Sequence, residues 1–168
     1  MNLPNQLTIL RILLIPAFLV LLFTGYLYSA ISVFLLASIT DWLDGLIARK
    51  YNLITNFGKF MDPLADKLLV CAALISMVQL ELLPAWIVII ILSREFIVTG
   101  FRLVAAGNHI VIAAGMLGKC KTVVQMVMII YLLFGFGGFL AEFLVWVAVI
   151  LTIASAIEYI MKNWQVLK

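Results

Sequence analysis

Asp41-Trp42-Leu43-Asp44-Gly45-Leu46-Ile47-Ala48-Arg49, then eight residues, then Gly58-Lys59-Phe60-Met61-Asp62-Pro63-Leu64-Ala65-Asp66: this stretch holds every aspartate of a 168-residue chain that is 66% hydrophobic. Carboxylates are costly near a bilayer and are seldom placed there without a partner. Residues three and four apart share a helix face. Asp41, Asp44, Gly45 and Ala48 therefore make one stripe, and Asp62 and Asp66 make a second. The short connection between them makes the two helices neighbours, with the stripes facing each other across a polar pocket. Carboxylates gathered in this way repel one another unless cations bind. Hard divalent ions with oxygen ligands, Mg2+ or Mn2+, suit such a site. A pair of these ions bridged by carboxylates is suited to phosphoryl chemistry.

The residues between the aspartates leave two readings open. Gly45 and Ala48 remove side-chain bulk, so a nucleotide can lie against the helix backbone; close packing of two helices uses small residues equally well. Arg49, one turn beyond Gly45, suits a phosphate or an interfacial position. Pro63 is tolerated if its helix starts near Gly58, because the first helical N–H groups lack intrahelical partners anyway.

Outside this stretch the composition sets the class. Charged residues make up 11% of the chain and the mean hydropathy is +1.24, whereas soluble domains carry roughly 25% charged residues. The reading is an all-α integral membrane protein, a single domain over residues 1–168. A net charge of +3 gives little support to nucleic-acid binding. Cys71 and Cys120 lie in or beside apolar segments without a CxxC pairing and read as small buried hydrophobes. His109 stands alone and reads as a loop or interfacial residue. The apolar run 12–24 behind Arg11 has no small-residue cleavage site after it, so it reads as a retained membrane helix rather than a signal peptide.

A helix needs roughly 20 apolar residues to cross the hydrocarbon core. Six segments qualify: 7–24, 28–48, 59–79, 84–106, 121–137 and 140–161. Breaks fall at Gly25, Lys50–Asn56, Glu81–Pro84, Gly107-Asn108, Gly118 and Gly135–Gly138. Lys50, Lys59, Arg102, Lys119 and Lys121 flank the even-numbered connections, and Lys162 and Lys168 lie in the tail; the third and fifth connections carry Glu81 and Glu142 instead. By the positive-inside rule both termini and the even connections face the cytoplasm. All four aspartates then lie toward that face. A cation transporter, the alternative outside enzymes, calls for polar groups near the bilayer midplane, and here the charges gather at one face.

The pattern Asp41-x2-Asp44-Gly45-x2-Ala48-Arg49-x8-Gly58-x3-Asp62-x3-Asp66 resembles, at every specified position, the signature of the CDP-alcohol phosphatidyltransferases. The six-helix layout is similar to that family as well. The resemblance implies a CDP-linked lipid attacked by an alcohol, with CMP as leaving group. It implies that Asp41, Asp44, Asp62 and Asp66 hold two divalent metals, Mg2+ or Mn2+, and that Asp66 is also the general base. It implies a CDP pocket shaped by Asn5, Asp41, Gly45, Ala48, Arg49 and Gly58, with Thr55 in the connecting loop as a weaker contact. It further implies a homodimer in the bacterial cytoplasmic membrane.

The basic residues bear on the acceptor. Arg94 and Arg102 are eight apart and share a helix face, and Lys119 and Lys121 stand near the start of the fifth segment. Interfacial snorkelling accounts equally well for Arg102 and the lysines. Glu95 beside Arg94 leaves room for an ion pair facing another helix. A cation cluster next to the metals suits an acceptor that bears a phosphate, such as glycerol 3-phosphate. Inositol phosphate and phosphatidylglycerol are the alternative acceptors. Asn2-Leu3-Pro4-Asn5-Gln6-Leu7-Thr8 through Arg11, Ser93-Arg94-Glu95 with Arg102, and Gly118-Lys119-Cys120-Lys121-Thr122 with Gln125 resemble the bacterial branch of the family that uses glycerol 3-phosphate.

Overall fold

The computed structural model describes residues 3–50, 56–107 and 115–163, without the side chains at 3–5, 41–50, 56–63, 66 and 106. These residues form six helices: α1 (Leu3–Phe23), α2 (Leu27–Lys50), α3 (Asn56–Gln79), α4 (Ala85–Gly107), α5 (Met116–Leu133) and α6 (Phe139–Asn163). Thr55 and His109 lie outside the described residues.

Five of the helices keep to the expected segments within a few residues. The exception is α5, expected over 121–137. Gly118 does not break the chain but lies inside the helix, which starts at Met116 behind an extended Gly115 (φ −66°, ψ 160°). At the other end Gly135 takes φ +75° and donates its N–H to the Leu132 carbonyl at 2.9 Å, which closes the helix early. A left-handed residue after the last turn is a common helix terminator, and glycine adopts it without Cβ strain.

The chain divides into two compact units, Met1–Gln79 and Leu80–Lys168. In the first, α1 packs on both α2 and α3, and α2 also touches α3. Gly25 at φ +87° makes the tight turn between α1 and α2. Phe18 lies 5.6 Å from Phe34 between ring centroids, and Arg11 Nε donates to the Ala37 carbonyl at 3.3 Å. Ala30, Ala37, Ala65 and Ala73 are fully buried. Lipid is as apolar as a helix face, so packing rather than burial from water draws such helices together, and small residues let their backbones approach.

In the second unit α6 packs on α4 and α5. Its buried residues Ala141, Val145, Ala148, Thr152, Ser155 and Tyr159 recur at alternating steps of four and three. Along α4, Trp86 meets Trp146 (6.1 Å) and Phe101 meets Tyr159 (6.3 Å), so α4 and α6 run parallel. The rest of α6 is also apolar; Phe139, Phe143, Trp146, Ile150, Ile153 and Ile157 are exposed. A helix that is apolar all round belongs in a core or a bilayer. Gln6–Phe23, Met116–Leu133 and Phe139–Asn163 are each long and apolar enough to cross a membrane, which marks a membrane protein. Cys71 is half-buried, whereas Cys120 is exposed rather than buried as its apolar setting suggested, because it lies one residue from the buried Lys121 and so on another face of α5.

Candidate functional site

Asp41, Asp44, Gly45, Ala48 and Arg49 belong to the last two and a half turns of α2, and Gly58, Asp62 and Asp66 to the first half of α3. The helical backbone gives Asp41, Asp44, Gly45 and Ala48 the i, i+3, i+4, i+7 positions of one stripe, and it gives Asp62 and Asp66 the i, i+4 positions of another. The contact of α2 with α3 and their shared packing on α1 bring the two helices into one unit. Asn5 lies in the first turn of α1, in the same unit. The side chains of all these residues lie outside the described set. As a donor set, four aspartates offer only hard oxygen ligands, which fits Mg2+ or Mn2+ better than a soft metal.

The second unit carries a described polar cluster built from three helices. Arg94, on α4, is held at two nitrogens. Its Nε donates to Ser155 Oγ on α6 at 3.2 Å, and its Nη1 donates to Glu95 Oε1 at 3.0 Å. Its third nitrogen, Nη2, lies against α5, where a Cβ on Gly118 would stand 3.3 Å away. Lys121, also on α5, reaches the same Glu95 Oε1 from the other side at 2.6 Å. The side chains are 2% exposed for Lys121, 11% for Arg94 and 23% for Glu95. An unpaired charge at that burial costs several kcal/mol, and the Glu95 carboxylate offsets part of that cost for both cations.

Two turns along α4, Arg102 stacks its guanidinium over the Tyr159 ring at 5.7 Å from the centroid. Arg94 and Arg102 thus share the face of α4 turned to α6, as their spacing predicts. Lys119 is exposed, the position that interfacial snorkelling describes; Lys121 is not, and it is ion-paired instead. The expected link between Arg94 and Glu95 is present. Sequence reasoning missed Ser155 and Tyr159. Their positions on the buried stripe of a helix were the available signal, since serine and tyrosine stand there among alanine and valine. The Tyr159 hydroxyl and Gln125 Oε1 are buried without a hydrogen-bond partner among the described residues.

Residues 1–154 match the CDP-alcohol phosphatidyltransferase family. A CDP-diacylglycerol–glycerol-3-phosphate 3-phosphatidyltransferase of Bacillus subtilis is 50% identical, over 99% of this chain and 97% of the relative. A protein of the same name from Rickettsia bellii is 40% identical over 94% of this chain and 93% of its own. A probable phosphatidylglycerophosphate synthase of Mycobacterium tuberculosis is 41% identical over 96% of this chain and 81% of its own. The chain belongs to the CDP-alcohol phosphatidyltransferase family.

Proposed function

We infer that this family member is an enzyme of phospholipid biosynthesis that transfers the phosphatidyl group of CDP-diacylglycerol to glycerol 3-phosphate, giving phosphatidylglycerophosphate and CMP. The observation that carries the reading is likeness along nearly the whole chain to relatives named for this reaction, joined to an unbroken aspartate signature.

In the reaction, an acceptor hydroxyl oxygen forms a bond to the phosphorus of the phosphatidyl group. The bond from that phosphorus to the CMP oxygen breaks, and CMP leaves with the electron pair. Asp66 takes the hydroxyl proton as general base, which raises the nucleophilicity of the oxygen as it attacks. Asp41, Asp44, Asp62 and Asp66 are the ligands for two divalent cations, Mg2+ or Mn2+. Such ions, when bound, neutralise charge on a pyrophosphate and on its leaving group. Gly45, Ala48 and Gly58 leave space for the cytidine nucleotide against the helix backbones, and Asn5, Asp41, Arg49 and Thr55 provide its polar contacts. Arg94, Arg102, Lys119 and Lys121 bind the acceptor phosphate. Arginine offers a planar fork that matches phosphate oxygens, and lysine a compact charge.

The enzyme is a single catalytic domain over 1–168, a reading supported by a family match over residues 1–154 that takes in the first compact unit and most of the second. It crosses the bacterial cytoplasmic membrane six times, with both termini and the active site on the cytoplasmic side, and works as a homodimer. The charge pattern of the connections supports the orientation; the dimer rests on family likeness.

The test is CMP release by the purified protein. With Mg2+ present, release should require both CDP-diacylglycerol and glycerol 3-phosphate, and EDTA should abolish it. Asp66→Asn should lower kcat by about 10²–10⁴, the usual contribution of a positioned base. Release without glycerol 3-phosphate would remove the acceptor assignment, and unchanged turnover in Asp66→Asn would remove the base.

A further inference from the structure

Arg102 is held differently from Arg94 and Lys121. Arg94 commits its Nε to Ser155 and its Nη1 to Glu95, and Lys121 donates to Glu95. Arg102 makes no hydrogen bond or ion pair among the described residues; its guanidinium carbon lies over the Tyr159 ring, 5.7 Å from the centroid. The arginine is exposed, whereas the tyrosine beneath it is 6% exposed. Phe101, the neighbour of Arg102 on α4, meets the same ring edge-on, with the two planes at 84°. A fixed aromatic face thus lies under an exposed cation. We propose that Tyr159 is a positioning residue for the acceptor: its ring holds Arg102 in place with the fork of N–H donors unspent, ready for the phosphate of glycerol 3-phosphate. The inference rests on the acceptor-phosphate reading of Arg102.

Two opposing effects decide how the geometry should be read. If the ring competes with the phosphate for the cation, removing the ring tightens acceptor binding. The chemistry of the contact favours the other sign. An aromatic face attracts the charge of a guanidinium through its quadrupole, whereas a phosphate oxygen binds along the N–H edge of the fork. The two contacts use different parts of the group and can be made together. An exposed arginine without such a contact samples many rotamers, and ordering it on binding lowers affinity by about two- to tenfold. Tyr159 supplies that order in advance. The ring is what the position uses, since the hydroxyl is buried without a hydrogen-bond partner among the described residues. A purely structural tie between α4 and α6 would behave differently: its loss would lower stability and leave the acceptor affinity of the folded protein alone. Interfacial snorkelling of Arg102 would make the ring irrelevant to the acceptor.

The experiment is steady-state kinetics of CMP release on Tyr159→Leu, Tyr159→Phe, Arg102→Gln and the double variant of Tyr159→Leu with Arg102→Gln, with glycerol 3-phosphate and CDP-diacylglycerol varied separately. Tyr159→Leu should raise the acceptor KM about three- to tenfold, with kcat and the CDP-diacylglycerol KM within about twofold, the signature of lost acceptor binding. Tyr159→Phe keeps the ring and should hold the acceptor KM within about twofold of the unsubstituted protein. Its thermal stability should be equal or higher, because it removes a buried hydroxyl without a partner. Because Tyr159 acts through Arg102, the double variant should have the acceptor KM of Arg102→Gln alone rather than the product of the two effects. An unchanged or lowered acceptor KM in folded Tyr159→Leu overturns the proposal. So does a Tyr159→Phe protein as impaired as Tyr159→Leu, or full additivity in the double variant. Arg102→Gln separates the two levels of inference. If it leaves the acceptor KM unchanged, the acceptor-phosphate reading of Arg102 fails and the proposal with it; if it raises that KM while Tyr159→Leu does not, only the role of Tyr159 fails. Should Tyr159→Leu not fold, Tyr159→Met takes its place, and an acceptor KM unchanged there overturns the proposal equally.

Discussion

Gly118 shows what a single missing side chain does in the cation cluster. Glycine inside a helix costs about 1 kcal/mol relative to alanine, so Gly118→Ala should strengthen α5 taken alone. The new Cβ would stand 3.3 Å from Arg94 Nη2, and Arg94 cannot easily yield, being held at Nε by Ser155 and at Nη1 by Glu95. The helix gain and the disturbed hydrogen bonds should nearly offset in thermal stability. The acceptor KM should nevertheless rise, by about three- to tenfold. A loss of stability with an unchanged acceptor KM would show that Arg94 does not bind the acceptor. At this scale the sequence is uneven in what it discloses. The helical placement of the aspartates was legible because Asp41 and Asp44, and Asp62 and Asp66, stand at helix spacing in one stretch, and both pairs lie on helical backbone. The links from Glu95 to Lys121, 26 residues away, and from Arg94 to Ser155, 61 away, were not. They depend on which faces the helices turn to each other, and helices that are apolar on every side carry little periodic signal of that choice.

The helices themselves were legible where length and apolar content were enough; α5 was misread at its start, where Gly118 was weighed as a breaker, and at its end, where the segment was drawn to 137 although a break was placed at Gly135–Gly138. The local cost of about 1 kcal/mol at Gly118 is small beside the packing of α5 on α6 and the ion pair between Lys121 and Glu95. The left-handed φ at Gly135, by contrast, ends the hydrogen-bond ladder outright. In α6 the alternation of four and three along Ala141, Val145, Ala148, Thr152, Ser155 and Tyr159 averages close to the 3.5-residue repeat of helices that pack at small crossing angles. Ala148 is fully buried on this stripe and Ile150 is exposed on the opposite side. Ala148→Leu should therefore overpack the interface and destabilise the protein by about 1–3 kcal/mol, whereas Ile150→Leu should change stability by less than about 0.5 kcal/mol. Thermal unfolding in detergent micelles measures both. Equal effects at the two positions would mean that the buried stripe is not what holds α6.

For the whole molecule, the open issue is whether α4 crosses the membrane. It is absent from the three helices that length and composition single out among the described residues, because Arg94, Glu95 and Arg102 fall within one span's length of it. Hydropathy scales charge each such residue about 2.5–3.5 kcal/mol at a helix centre, as if it stood alone in lipid. In the folded chain Arg94 and Glu95 face each other, Glu95 also meets Lys121, and Arg102 stacks on Tyr159 near the end of the helix. The scale therefore overstates the penalty, and α4 should span. Trp86 and Trp146 at one end of the α4–α6 pair and Arg102 and Lys162 at the other fit an aromatic outer belt and a basic inner face, as the positive-inside rule requires. Single cysteines in a Cys71→Ala, Cys120→Ala background test this in cells with a membrane-impermeant maleimide. Leu80→Cys and Glu142→Cys should label from outside, and Lys162→Cys only after permeabilisation. Leu80 is preferable to Glu81, whose φ of +58° would strain a replacement. The comparison of Leu80 with Glu142 is decisive for α4, since only α4 and α5 separate them. If both helices cross, the two positions share a side; if α4 stays out of the membrane, they label from opposite sides and the six-span reading falls.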